Sequence, residues 1–214
     1  SEIVRQVCAI GPGAICLVDA SEYNLYMIDG EVAGQLPQLE RSARLVDVRH
    51  RQAIRDCFAA FRPDIAFHAA AFKHVPLVEA NPLEGVWTNA IGSRNVCDAA
   101  EASGCRALVL ISTDKAVNPT NVMGASKRAA ESYCQALAIA GAERADVRRT
   151  ALQRGDDRRV VDLRVVREDD DGVGGLEPDG RVRLLRPLRH DLVRARDPLG
   201  RRVPLLVLLS AEVG

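Results

Sequence analysis

The sequence predicts an α/β fold, a doubly wound parallel sheet, on three observations. Up to about Gly141, short apolar runs of β type alternate with longer helical patterns, the rhythm of strands joined by helical crossovers. The runs are apolar almost without interruption, which suits strands covered on both faces. Capping and breaking residues stand where helices have to start and stop.

In chain order, EIVRQVCAI (2–10) reads as a helix closed by Gly11-Pro12-Gly13, followed by a strand AICLVDA (14–20) and a helix opened by Ser21. ARLVDV (43–48) is the next strand, RQAIRDCFAAF (51–61) a helix stopped before Pro63, and DIAFHAA (64–70) a third strand. A long helix spans about Pro82 to Gly104, RALVLIST (106–113) is a fourth strand, and a last helix runs from about Asn121 to Ala140. Four or more parallel strands with helices on both faces are therefore expected over residues 1–141. A dinucleotide-binding sheet carries a glycine-rich turn after its first strand, where the backbone and the next helix approach a pyrophosphate. Residues 1–10 resemble the helix that follows such a turn. The sheet is accordingly read as Rossmann-like but truncated at the first strand and glycine-rich turn.

The texture changes after Gly141. Sixteen of the 26 arginines lie in residues 144–214, and no Phe, Tyr, Trp, Ile, Met, Asn, Lys or Cys occurs there. Amino acids with A/T-rich codons are nearly missing, as an out-of-frame reading of GC-rich coding DNA would produce. The alternative is a genuine arginine-rich extension, disordered or bound to a partner. The chain is thus divided into a partial nucleotide-binding domain at 1–141 and an arginine-rich tail at 142–214, irregular or poorly ordered. VVDLRVV (160–166) and VPLLVLL (203–209) have strand character but are given little weight.

Composition narrows the function classes. With 214 residues, 47% hydrophobic and 27% charged, the chain is long enough for one core. A formal net charge of +0 gives no support for a nucleic-acid or membrane-surface partner. The six cysteines have no C-x-x-C pair and no metal spacing, so they read as reduced core thiols and no metal is expected. No apolar run reaches the roughly 18 residues of a membrane span, and no signal-peptide pattern is present. A cytoplasmic location follows from this reading.

The polar residues at strand ends are the candidates for chemistry. Asp19 closes the first strand where an acidic residue takes the ribose hydroxyls in NAD sites, although a cap or turn aspartate looks the same. Asp47, in VDVRH (46–50), stands where an adenine amino group can be met, or in a solvated loop. In FHAAAFKHVP (67–76), Ala69, Ala70 and Ala71 let a cofactor lie close against the backbone, and Lys73 and His74 add charge and hydrogen bonding beside it. His74 reads equally as a surface loop residue. Asn89, on the long helix, either faces the cleft or bonds a neighbouring loop. In ISTDKAVNPTNVMGASK (111–127), Asp114 and Lys115 follow a strand's carboxyl end; without the surrounding motif they would read as a surface ion pair.

AAAxKHVP, TNxxGSxNV and STDKAVNPTNVMGASK, in this order and spacing, resemble the extended short-chain dehydrogenase/reductases, and among them the CapD-like polysaccharide-biosynthesis nucleotide-sugar 4,6-dehydratases acting on UDP-N-acetylglucosamine. The resemblance covers residues 1–141. It does not extend to the family's later substrate segments, since no RFGNVLGS-like strand and loop occurs in residues 142–214. It implies NAD as cofactor, a UDP-sugar as substrate and lyase chemistry. Most of the superfamily places a Tyr four residues before a Lys, which lowers the phenol pKa for proton exchange. Met123 and Lys127 hold those places here, and the resemblance implies that Met is normal in the longer, membrane-anchored dehydratases, whose location would be the cytosolic face of the inner membrane. It further implies Lys115 as the base at sugar carbon 5, Asp114 as the acid toward the departing hydroxyl, Thr113 on the carbon-4 hydroxyl and Lys127 on the nicotinamide ribose. Val48 and Ser112 join the cofactor set, and Lys73, His74 and Asn118 the substrate set. A homo-oligomer is left open. Two other readings compete: a nucleotide-sugar epimerase or reductase, and a non-catalytic cofactor-binding fragment. Cofactor binding without the glycine-turn amides is expected to be weak.

Overall fold

The computed structural model describes the backbone of residues 1–151, 162–168 and 203–209, and the side chains of 1–141 and 203–209 among them. Among the described residues, six parallel strands form one sheet in the order β2-β1-β6-β3-β4-β5. The strands are β1 (Ala14–Asp19), β2 (Glu40–Leu45), β3 (Ile65–His68), β4 (Ala107–Thr113), β5 (Asp162–Glu168) and β6 (Pro204–Leu208). The helices are α1 (Glu2–Ile10), α2 (Glu22–Gln35), α3 (Arg51–Phe61), α4 (Val75–Ala80), α5 (Pro82–Gly85), α6 (Ser93–Ser103) and α7 (Val122–Ala151). The doubly wound sheet expected from the sequence is present, with helices on both faces.

Local chemistry sets the element ends. The Ser21 side chain accepts from the Asn24 N–H to open α2, satisfying one of the donors a helix start leaves over. Gly104, at φ 72, closes α6 in the left-handed region, where a side chain costs most. Between α5 and α6 the helical path passes through a π-helical segment, Val86–Gly92. There the Ser93 hydroxyl donates to the Asn89 carbonyl at 2.6 Å, taking an acceptor that an ordinary helical N–H would use.

Two apolar layers sandwich the sheet. On one face α1 and α2 bury Val4, Val7, Leu25 and Ile28 against Ile15, Leu17, Phe67 and Val109. On the other, α3, α6 and α7 bury Ile54, Phe58, Val96, Ala100 and Cys134 against Val18, Ala66, Leu108 and Leu110.

Three expectations need correction. The second strand begins earlier than the apolar run ARLVDV suggests, because Ala14 pairs with Glu40 and Asp19 with Leu45. As an edge strand it is largely exposed, not buried on both faces, and Val46–Val48 turn off beyond its end. The segment 203–209, given little weight from the sequence, is a central strand. β6 pairs with β1 on one side and β3 on the other, with Leu206 and Val207 at 0% exposure. It occupies the point where the strand order reverses, the place a doubly wound sheet gives its first strand. β5 pairs with β4 along its length. Residues 142–151 continue α7, and apart from β5 and 203–209 the rest of the segment 142–214, expected to pack poorly, lies outside the described residues.

Candidate active site

All strands run parallel, so the ends of β1, β3 and β4 and the start of the loop after β2 share one edge of the sheet. Five sequence-predicted residues meet there around one cavity of about 200 Å³: Asp19, Asp47, Val48, Ala70 and Ala71. Ala69 is partly buried and packs into the core beneath. Val48 enters the cavity wall because Gly92 has no side chain. A Cβ on Gly92 would stand 2.6 Å from Val48 Cγ2.

Asp19 is 2% exposed. Its Oδ1 accepts from the Ser21 N–H at 2.8 Å, and its Oδ2 is buried with no partner. Burial pushes its carboxyl above the ordinary range, against the pull of the Ser21 and Ala20 N–H groups. Thr88, also on the cavity wall, has a buried Oγ1 without a partner. Two buried polar atoms lacking partners on one wall are costly unless a polar ligand pairs with them. Asp47 is differently set. Burial would raise it, but the Arg49 guanidinium and backbone N–H, with His50, hold its carboxyl below the usual range. Arg49 also reaches Glu84 at 2.7 Å, tying the cavity rim to α5.

The second part of the site is the turn after β4. Thr113 Oγ1 donates to Asp114 Oδ1 at 3.0 Å, and the Lys115 N–H donates to the same oxygen at 2.8 Å. Asp114 is exposed, Lys115 half-buried, and Ser112 buried with an unpartnered Oγ. Helix α7 packs under this turn at Gly124, where a Cβ would meet the Lys115 carbonyl oxygen. Asn121 Oδ1 accepts from the Gly124 N–H at 2.8 Å to start the helix, and Glu79 of α4 accepts from the Val122 N–H. One turn further, Lys127 donates its Nζ to the Ile111 carbonyl at 3.0 Å. Met123 is buried at 2% exposure.

Asn89 joins the two parts. Its Oδ1 accepts from the Phe72 N–H at 2.7 Å, and its Nδ2 donates to the Phe72 carbonyl and to Ser126 Oγ, both at 3.0 Å. Ser126 in turn donates to the Met123 carbonyl at 2.8 Å. Fully buried, Asn89 thus spends its side chain on the loop and α7. Beneath it, Ser93 donates to the Asn89 carbonyl and accepts from His68 Nε2 at 2.9 Å, which leaves the proton on Nε2 and Nδ1 bare. Burial, then the charge of Lys127, lowers the His68 pKa to about 3, so the ring stays neutral.

Lys73, His74 and Asn118 are exposed. His74 precedes α4, and Asn118 takes the left-handed conformation at φ 49. Sequence reasoning missed Arg49, Thr88, His68, Ser93, Gly92 and Gly124. Arg49 was signalled by its place two residues after Asp47, and His68 stands inside the quoted FHAAAFKHVP. Among the described residues no group of three or more His, Cys, Asp or Glu is placed to hold a metal ion. No helix among them is long and apolar enough to cross a membrane.

Comparison with known proteins adds to this geometry. The profile of a family described as polysaccharide biosynthesis protein matches residues 1–153. A probable polysaccharide biosynthesis protein EpsC of Bacillus subtilis is 45% identical over 132 residues, 61% of this chain and 22% of that protein. A UDP-N-acetylglucosamine 4,6-dehydratase (inverting) of Campylobacter jejuni is 44% identical over 97 residues, 44% of this chain and 28% of that protein. The chain thus matches under a third of the length of either relative. Among solved structures, Pen from Bacillus thuringiensis superimposes with a TM-score of 0.62 at 24% identity, over 82% of this chain and 51% of that one, a likeness of fold.

Proposed function

The chain belongs to the polysaccharide biosynthesis protein family, and from that premise we propose that its site carries out NAD-dependent 4,6-dehydration of a nucleotide sugar of the UDP-N-acetylglucosamine type. The observation that carries the reading is a conjunction. A cavity with two unpaired buried polar atoms lies on the same sheet edge as a Ser-Thr-Asp-Lys turn held against a helix bearing Met123 and Lys127.

The residues fit NAD. Asp19 Oδ2 and Thr88 Oγ1 would gain partners from ribose hydroxyls, Asp47 and Val48 would border the adenine, and Ala70 and Ala71 leave room for close approach. Lys127, fixed near the end of β4, would hold the nicotinamide ribose. When bound, NAD supplies a reversible hydride acceptor for sugar carbon 4. The rest falls to this chain's own groups. Thr113 hydrogen-bonds the carbon-4 hydroxyl, Lys115 takes the proton from carbon 5, and Asp114 delivers a proton to the hydroxyl leaving carbon 6. The Thr113 and Lys115 bonds to Oδ1 orient the Asp114 carboxyl and leave Oδ2 for that transfer. Met123 moves no proton, because a thioether cannot.

The test is incubation with UDP-N-acetylglucosamine and NAD, read by mass spectrometry. A product lighter by one water supports dehydration, and Lys115→Ala should slow its formation by ~10²–10⁴-fold, the scale of one general acid–base group. A product of unchanged mass with inverted carbon 4 would instead establish the epimerase reading, and no turnover at all would leave a cofactor-binding fragment.

A further inference from the structure

Cys97 on α6 and Cys134 on α7 lie with their sulfurs 3.0 Å apart, both buried. That separation is shorter than the ~3.5–4.0 Å at which heavy atoms in ordinary apolar contact sit. Each cysteine is mid-helix, and the two helices pack together through the apolar cluster that holds both thiols. Of the other thiols, Cys105 instead hydrogen-bonds the Asp64 and Ala107 carbonyls. We propose that Cys97 and Cys134 form an oxidisable dithiol, a modification site at which a peroxide or disulfide oxidant closes a bond between α6 and α7.

With hydrogen peroxide the chemistry balances as follows. One sulfur, as thiolate, attacks a peroxide oxygen, breaking the O–O bond and becoming a sulfenic acid. The second sulfur then displaces that hydroxyl to form the S–S bond. Two thiols lose two protons and two electrons, and one peroxide becomes two waters. The sulfurs must close from 3.0 Å to a disulfide bond length of about 2.05 Å. The hydrogen bond to Cys134, then burial, holds the Cys97 thiol well above the ordinary range, so its reaction with oxidant is slow. The bond would tie α7, which carries Met123 and Lys127, to α6, which carries Ser93. This rests on geometry alone and is independent of the reaction proposed for the site.

The experiment uses the full chain. It is treated with hydrogen peroxide under native conditions, remaining thiols are alkylated, and cleavage after arginine and after Glu101 separates Cys97 from Cys105. The expected result is a Cys97–Cys134 cross-linked peptide pair, two hydrogens lighter than the reduced pair, that dithiothreitol reverses and that is lost in Cys134→Ser. Hydrogen exchange on the oxidised chain should show slower exchange around residue 134. Oxidation that joins separate chains, or carries Cys97 and Cys134 to sulfinic acid without a cross-link, would overturn the assignment. So would both thiols surviving prolonged treatment unchanged.

Discussion

Gly124 has almost no freedom to change. A Cβ there would stand 2.3 Å from the Lys115 carbonyl oxygen, when ordinary contact begins near 3.4 Å, so the Asp114–Ala116 turn has to retreat by about 1 Å. Overpacking of this kind costs ~1–3 kcal/mol. Gly124→Ala should therefore lower the urea midpoint and, by moving Lys115, reduce turnover by more than the stability loss explains. An unchanged midpoint and rate would mean that the turn is not seated on α7. Asp19 tests the opposite balance. Its folded pKa is raised, so the charged form opposes folding. That group's stability is fully present below the unfolded carboxylate range and is lost as pH rises through the folded value. Asp19→Asn should stabilise the chain at pH 7 while weakening any NAD binding, and the gain should vanish in acid. A stability loss at pH 7 would show that the fold compensates the Asp19 charge by more than burial costs it.

The central strand depends on its burial rather than on local signals. Leu206 is 0% exposed between β1 and β3, whereas Leu45 on the edge strand is 58% exposed. Leu206→Ala should cost ~2–5 kcal/mol, and Leu45→Ala no more than about 0.5. Comparable midpoints in urea for the two variants would remove β6 from the core. This contrast also shows why parts of the fold were readable and others were not. AICLVDA and RALVLIST are self-evident strands because their residues alone show two covered faces. ARLVDV misled because Val46 and Val48 are apolar for another reason, as part of a cavity wall and the layer below it. The strand quality of VPLLVLL was visible. Its slot was not, because its partners lie far away in sequence, and an arginine-rich setting argued against a core role. The π-helical segment depends on one hydroxyl, Ser93, bonding back to Asn89, and no periodicity reveals that.

The site as a whole is assembled from the ends of separate strands, so its aspartates, alanines and the Ser-Thr-Asp-Lys turn were legible as strand-end residues. Of the residues that join them, Asn89 was readable as a candidate for a bond to a neighbouring loop, whereas Gly124 acts through a contact that only the packed chain creates.

On the proposed function, the turn after β4 moves the carbon-5 proton, with Lys115 as its base. Solvent-deuterium incorporation at carbon 5 of UDP-N-acetylglucosamine, followed in the presence of NAD, reads that step apart from binding. The chain should incorporate deuterium and Lys115→Ala should lose it by ~10²-fold or more while NAD binding is retained. Exchange at the original rate in Lys115→Ala would place the base elsewhere.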